Sequence, residues 1–124
     1  MDLETETKCI IGVAFDVMNE IGCGLREKAY ERAMVREFQL QSIRYDQQRQ
    51  FPVIYKDTEI DTLIPDLITH DQIIVDTKTI PQITSREISQ MFNYLRITRL
   101  PIGLIVNFYY PKVQVKRVHL SDRT

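Results

Sequence analysis

The segment Ile73-Ile74-Val75-Asp76-Thr77-Lys78-Thr79 joins a short apolar run directly to an acid and a lysine. The run is brief, rich in β-branched residues and followed by Pro81, which is typical of a buried strand. Successive side chains of a strand point to opposite faces, so Asp76 and Lys78 are predicted to share one face. Charged groups at the end of a buried strand are costly unless they are paired or used. The segment therefore predicts both a central strand and a candidate site.

A second acid, Asp66, stands ten residues before Asp76. The stretch 60–69 is predicted to be a strand interrupted by Pro65, and residues 70–72 are predicted to form a turn. In the resulting hairpin the two aspartates approach each other, which is unfavourable unless a cation lies between them. Carboxylate oxygens suit Mg²⁺ or Mn²⁺, and a lysine beside them can act on an attacking water or on phosphate charge. The alternative is an inert surface ion pair of Asp76.

Amphipathic patterns predict the elements around this hairpin. Helices are predicted at residues 4–21, about 25–41 and about 85–98, the last with a capping box between Thr84 and Glu87. Strands are predicted at 43–56, 60–69, 73–79 and 102–109, with a final edge strand near Val113, Val115 and Val118. This order predicts one α/β domain over residues 1–124, built on a central mixed sheet flanked by helices.

Glu27 is the third acidic candidate. At 100° per residue it shares a helix face with the apolar stripe of Tyr30, Met34 and Phe38, where a carboxylate needs a partner. If Gly24 is the N-cap, however, Glu27 occupies the third helical position and serves as a capping residue. The residue pattern leaves both interpretations open.

Gln90 and Tyr94 lie four residues apart, so they stack on one face of the third helix. They flank the apolar stripe rather than lie in it, and on spacing alone an ordinary surface pair is the favoured interpretation. His70 and His119 are too far apart in the sequence to predict a zinc site.

The composition excludes several classes of protein. A net charge of −1 argues against a broadly basic nucleic-acid coat, although an enzyme with acidic metal ligands is still compatible with it. No apolar run approaches the roughly 20 residues of a membrane span. The polar segment Met1 to Lys8 predicts that no signal peptide is present, and hence a cytoplasmic protein in which Cys9 and Cys23 are free thiols.

Basic residues cluster towards the C-terminal part of the chain. They suggest a surface that faces a polyanion, although ordinary solvated charge is an equally good interpretation of each one. The residues concerned are Arg96, Arg99, Lys112, Lys116, Arg117 and Arg123.

Taken together, these motifs resemble the bacterial GxxExxY proteins of the PD-(D/E)xK nuclease superfamily. The GxxExxY motif stands at residues 24–30, with Glu27 at its centre, and Pro65-Asp66 with Asp76-Thr77-Lys78 is similar to the superfamily signature. Residues 90–94 resemble the Q-x-x-x-Y element of the RecB-like branch, and residues 103–108 resemble the last core strand. One departure is that the family usually has Glu where Asp76 stands.

The resemblance implies a restriction-endonuclease-like core and a role for each motif residue. Asp66, Asp76 and Glu27 would hold Mg²⁺ or Mn²⁺, and Lys78 would orient the attacking water. Gln90 and Tyr94 would support the site or touch the nucleic-acid backbone. The implied reaction is metal-dependent hydrolysis of a phosphodiester, with DNA as the expected substrate.

Two other functions and one assembly stay open at this point. The chain can be a catalytically inactive nucleic-acid-binding or regulatory module that kept the nuclease fold, or an interaction protein with a merely structural acidic cluster. A homodimer is expected to give a small nuclease enough contact surface. Strand 102–109 and the apolar stripe of the first helix are the surfaces predicted to form its interface.

Overall fold

The computed structural model describes residues 3–122, so Arg123 of the basic cluster and the ends of the predicted domain lie outside it. This part of the chain contains three α-helices and a short 3-10 helix at Leu120–Asp122, and the predictions for all three α-helices are confirmed within a few residues. None of the helices in this described part is long and apolar enough to cross a membrane. The helices are α1 (Leu3–Ile21), α2 (Glu27–Leu40) and α3 (Ser85–Thr98).

Seven strands form two sheets. The main sheet has five strands in the order β1-β4-β5-β6-β7, and β2 pairs with β3 in a separate two-stranded sheet. In the main sheet β5 and β6 run parallel, whereas the other neighbours are antiparallel. The strands are β1 (Tyr45–Gln47), β2 (Phe51–Tyr55), β3 (Thr58–Leu63), β4 (Leu67–Thr69), β5 (Ile73–Lys78), β6 (Ile102–Asn107) and β7 (Gln114–His119).

Helices cover both faces of the main sheet. Ile73 and Val75 of β5 pack into a core that includes α1 and α2, whereas Ile74 packs into a second core with α3. A sheet covered on both faces requires apolar side chains at consecutive strand positions, which explains the continuous apolar runs of β5 and β6. The predicted fold class, a central mixed sheet flanked by helices, is confirmed.

Two predicted strands are each divided in the structure. Residues 43–56 form β1 in the main sheet and β2 in the hairpin, and Gln48 between them has a positive φ of 60°. Residues 60–69 contribute to β3 and β4, with Pro65 in the break, as its missing N–H favours. The single strands predicted here are wrong because β1 pairs with β4, which excludes the intervening hairpin from the main sheet.

The surfaces predicted for a homodimer are largely buried. Every residue of β6 is buried inside the protomer, because strands lie on both sides of it and helices cover the sheet, and of the predicted strand 102–109 only Tyr109 is exposed. The stripe of α1 is likewise packed in the core, except that Ile11 is partly buried and Ile21 at its end is exposed. A dimer would have to use mainly other residues.

The third helix begins where its sequence predicts. The Thr84 side chain accepts a hydrogen bond from the Arg86 amide, and Glu87 Oε1 accepts one from the Thr84 amide at 2.7 Å. This confirms the capping box. Contact with the Thr84 amide lowers the pKa of Glu87.

Gly103 allows α3 to lie close against β6. A Cβ atom at this position would lie 2.6 Å from Met91 Cγ and closer still to its Sδ. Met91 is buried, so its side chain has little room to move aside. The absence of a side chain at residue 103 therefore sets the distance between the helix and the sheet.

We expect Gly103→Ala to destabilise the protein by about 1–3 kcal/mol through overpacking against Met91. Gly12→Ala is the matched control, because a Cβ there meets nothing within 4 Å and alanine favours the helix. That control should raise the free energy of unfolding by about 0.5–1 kcal/mol. Urea denaturation of both variants measures the difference, and equal stability of the two would contradict the close packing described here.

Candidate active site

Asp66 and Asp76 meet at one end of the β4–β5 hairpin. The two strands are antiparallel with Leu67 opposite Val75, so one further step of the register places Asp66 opposite Asp76. The Asp66 side chain is close enough to raise the pKa of Asp76 through a side-chain hydrogen bond and through its charge. The predicted approach of the two aspartates is therefore confirmed.

The environment of Asp76 favours its protonated form. The residue is only 8% exposed, and its burial is the largest cause that raises its pKa. The hydrogen bond and the negative charge of Asp66 raise it further, whereas the nearby Lys78 ammonium lowers it. The result is a pKa of about 7, so Asp76 retains its proton at pH values where an isolated aspartate is ionised.

Lys78 lies beside this pair, on the same face of β5 as Asp76. Its Nζ is 3.4 Å from Asp76 Oδ2. Burial lowers the pKa of Lys78, but the Asp76 and Glu27 carboxylates outweigh burial and raise it above its usual value. The side chain thus remains a cation at neutral pH, within reach of whatever binds between the carboxylates.

Glu27 approaches the same region from α2. Arg26 is the N-cap and makes no side-chain capping hydrogen bond, and Glu27 is the first helical residue. The interpretation of Glu27 as a capping residue after Gly24 is therefore wrong. Burial raises the pKa of Glu27, Lys78 lowers it, and the charge of Asp66 raises it. Glu27 therefore lies within electrostatic range of both Lys78 and Asp66.

Gln90 and Tyr94 reach the site from α3, on the opposite side of the sheet from α2. Gln90 Nε2 donates a hydrogen bond to the Tyr94 hydroxyl at 3.1 Å. Burial raises the pKa of Tyr94, and so does the negative charge of Asp76. The pair is thus electrostatically connected to Asp76, which spacing alone did not predict.

Sequence reasoning missed Glu31, one turn after Glu27. Its carboxylate is only 3% exposed and is 3.1 Å from Lys28 Nζ. Gln47 Nε2 of β1 donates a second hydrogen bond to it at 2.8 Å. Its position next to Tyr30 on the apolar stripe was the signal that could have found it. Its negative charge contributes to the raised pKa of Glu27.

Sequence reasoning also missed the role of Asn107, the last residue of β6. Asn107 is fully buried, and its side-chain amide donates to the Ile80 carbonyl at 2.8 Å and to Gln114 Oε1 at 3.1 Å. Its side-chain oxygen accepts from the Ile80 and Tyr109 amides. The loop after β5 and the loop after β6 are therefore tied together beside Lys78.

The predicted basic surface is only partly free. Arg117 forms an ion pair with Glu4 at 3.0 Å and is not available to a polyanion in this arrangement. Arg96, Arg99, Lys112 and Lys116 are exposed.

The oxygen ligands that Asp66 and Asp76 offer suit a divalent cation, but the side chains do not form a complete coordination site. Asp66 and Asp76 offer hard oxygen ligands once Asp76 is ionised, and Mg²⁺ typically binds one or two carboxylates and keeps several waters. Within residues 3–122, however, no three His, Cys, Asp or Glu side chains converge closely enough to hold a metal. Glu27 thus lies near the aspartate pair without completing a three-carboxylate cluster.

Comparison with known proteins agrees with this geometry at the level of the family. A family model described as the PD-(D/E)XK nuclease superfamily matches residues 4–118. No curated protein and no solved structure gives a significant match. The match does not distinguish the GxxExxY family or the RecB-like branch, which stay predictions. The sheet, its flanking helices and the matched span together show that this chain belongs to the PD-(D/E)XK nuclease superfamily and has its restriction-endonuclease-like fold.

Proposed function

We propose that this protein is a metal-dependent nuclease that hydrolyses phosphodiester bonds of DNA. The observation that carries the proposal is the contact between Asp66 and Asp76 beside Lys78 at the end of the central strand. Such a juxtaposition is costly in a folded protein unless it serves a charged ligand. Assignment to the GxxExxY family and to the RecB-like branch belongs to the same proposal and rests on the motifs quoted above.

Asp66 and Asp76 would hold Mg²⁺ or Mn²⁺, with Glu27 as the third carboxylate after a side-chain rotation. A bound divalent ion supplies an activated water and stabilises charge on the phosphate. Loss of the Asp76 proton frees that carboxylate to act as a ligand, and a bound cation would offset the repulsion between the two aspartates that this loss creates.

Lys78 would hold the attacking water or a phosphate oxygen through its ammonium group, which its carboxylate neighbours keep charged. Tyr94 and Gln90 would offer a hydroxyl and an amide on the α3 side, and their mutual hydrogen bond limits the orientations of both. These two residues would bind the nucleic-acid backbone or support Asp76, and in neither case would they transfer a proton.

Cleavage assays test the proposal directly. Supercoiled plasmid, linear duplex and single-stranded DNA are each incubated with the protein in Mg²⁺, Mn²⁺ or EDTA. We expect cleavage only with metal, and we expect Asp76→Asn and Lys78→Ala each to lower the rate at least about a hundredfold, as loss of one electrostatic stabiliser does.

Matched controls come from the tip of the β2–β3 hairpin. Asp57→Asn and Lys56→Gln remove the same charges from exposed positions, and they should cleave at the wild-type rate. Metal-dependent cleavage that persists in the Asp76 and Lys78 variants would place the active site elsewhere or reveal a contaminant.

A competing function is that of a nucleic-acid-binding or regulatory module without turnover. The observation in its favour is that no three acidic side chains converge in the described part of the chain. This function predicts salt-dependent binding of DNA with no cleavage in any metal. A folded protein that behaves in this way would replace the nuclease proposal.

The raised pKa of Asp76 predicts how stability depends on pH without metal. The folded state holds the proton up to about pH 7, whereas the unfolded chain releases it near the ordinary aspartate pKa of 3.8. The stabilisation that this proton contributes is therefore complete below pH 3.8 and is lost as the pH rises through about 7. Asp76→Asn cannot ionise, so in EDTA at about pH 8 its melting temperature should exceed the wild-type value by roughly 3–5 °C.

Added metal should reverse that order. Mg²⁺ or Mn²⁺ at about pH 8 should raise the melting temperature of the wild type by binding the folded state, and it should leave Asp76→Asn unchanged. Asp57→Asn serves as the control and should follow the wild type in both conditions. An equal response of wild type and Asp76→Asn to metal would rule out Asp76 as a ligand.

We also propose that the protein forms a homodimer, although largely through residues other than those first predicted. Exposed apolar side chains are available at Ile21, the exposed end of the predicted α1 stripe, and outside it at Phe15 of α1 and Leu40 of α2. Sedimentation velocity tests this directly: a purely monomeric boundary at micromolar concentration would exclude the dimer.

A further inference from the structure

A cleft of about 460 Å³ lies at the same end of the sheet as the aspartate pair. We propose that it holds one unpaired base of a single-stranded nucleic acid, stacked on Tyr109, while the adjoining phosphate lies at the candidate active site. The inference deepens the proposed function and rests on it, because it names the strand state of the substrate. The cleft is lined by Cys23, Gly24, Leu25, Thr79, Phe108 and Tyr109.

Residues that line the cleft adjoin candidate active-site residues along the chain on two sides. Thr79 directly follows Lys78, and the Phe108 amide donates to the Lys78 carbonyl at 2.9 Å. On the other side, Leu25 stands two residues before Glu27. A strand whose phosphate lies near Lys78 would therefore carry its neighbouring base towards the cleft.

Both walls of the cleft are held in place by buried groups. The Tyr30 hydroxyl donates to the Gly22 carbonyl at 2.7 Å and accepts from the Leu25 amide, and this fixes the loop between α1 and α2. The Tyr30 ring stacks on Phe108 with centroids 4.5 Å apart, which connects that loop to the opposite wall. Asn107 hydrogen-bonds to Ile80 and to the Tyr109 amide, and so connects the wall formed by Phe108 and Tyr109 to the segment that follows Thr79. A preformed cleft loses little entropy when a ligand enters.

Tyr109 supplies an aromatic surface at the edge of the cleft. It is 45% exposed, although a tyrosine ring gains free energy from burial. The edge of Tyr110 contacts it with centroids 4.9 Å apart, and the Tyr110 hydroxyl donates to the Pro81 carbonyl at 2.8 Å. Exposed aromatic rings held by their neighbours are the usual platforms for unpaired bases. The bases of a duplex are already stacked and cannot enter.

Charge around the cleft favours a polyanion over an apolar protein segment. Arg26 and Lys112 are exposed on the two loops that form its walls, and neither makes an ion pair within residues 3–122. The β2–β3 hairpin also exposes a tyrosine and isoleucines, but it carries Asp57, Glu59 and Asp61, which repel phosphates. Of these two exposed aromatic surfaces, the one at the cleft is therefore the one suited to nucleic acid.

Cys23 reports directly on occupancy of the cleft. It is an exposed free thiol in the lining, and Cys9→Ser leaves it as the sole cysteine. We measure its alkylation rate in EDTA with a thymidine oligonucleotide, with an abasic strand of equal length, and with a duplex. The thymidine strand should slow alkylation at least about fivefold, the size expected for one stacked base, whereas the abasic strand and the duplex should not.

Substitutions of Tyr109 provide the second measurement. Tyr109→Ala should weaken binding of the thymidine strand at least about fivefold, while Tyr109→Phe should keep it within about twofold because the ring is retained. Tyr55→Ala removes a still more exposed tyrosine, on the hairpin; it is the control and should bind as the wild type does.

The outcomes separate this inference from the proposed function. Equal protection of Cys23 by thymidine and abasic strands, or normal binding by Tyr109→Ala, would overturn base stacking even if the protein cleaves DNA. Protection by the thymidine strand alone, with no cleavage in any metal, would support the cleft and reject the nuclease.

Discussion

The structure depends on one electrostatic constraint: Asp76 lies at the end of a strand from which water is excluded, next to a second carboxylate. Three groups can offset that cost, namely a proton, the Lys78 ammonium and a cation from solution. The first two are present, and they leave a site that is neutralised only while the proton stays. A divalent ion bound in place of that proton would offset the same electrostatic cost.

The sheet supplies this constraint because helices cover both of its faces. Covering by α1 and α2 on one face and α3 on the other removes water along β5 until its last residues. Gly103 lets α3 lie close to the sheet, and the charge of Asp76 raises the pKa of Tyr94 on that helix. On the other face, α2 begins with Glu27 at the end of the sheet where Asp66 and Lys78 lie. The polar residues of three separate elements therefore converge where the apolar layers stop.

Local patterns predicted those parts of the fold that local chemistry decides. The apolar run of β5 and the capping box at Thr84 both have short-range causes, and both were predicted correctly. The division of residues 43–56 was not, because it follows from the pairing of β1 with β4, a long-range choice. Asn107 illustrates the same limit: its importance lies in hydrogen bonds to Ile80, which is distant in the sequence.

The β2–β3 hairpin is attached to the rest of the protein in a way that leaves it free to diversify. It enters between β1 and β4, shares no ladder with the main sheet, and exposes most of its side chains to solvent. Pro65 is buried where the hairpin returns to β4, so residues added at its tip leave Asp66 in register with Asp76. The hairpin can therefore change in length at its tip while the approach of Asp66 to Asp76 stays unaltered.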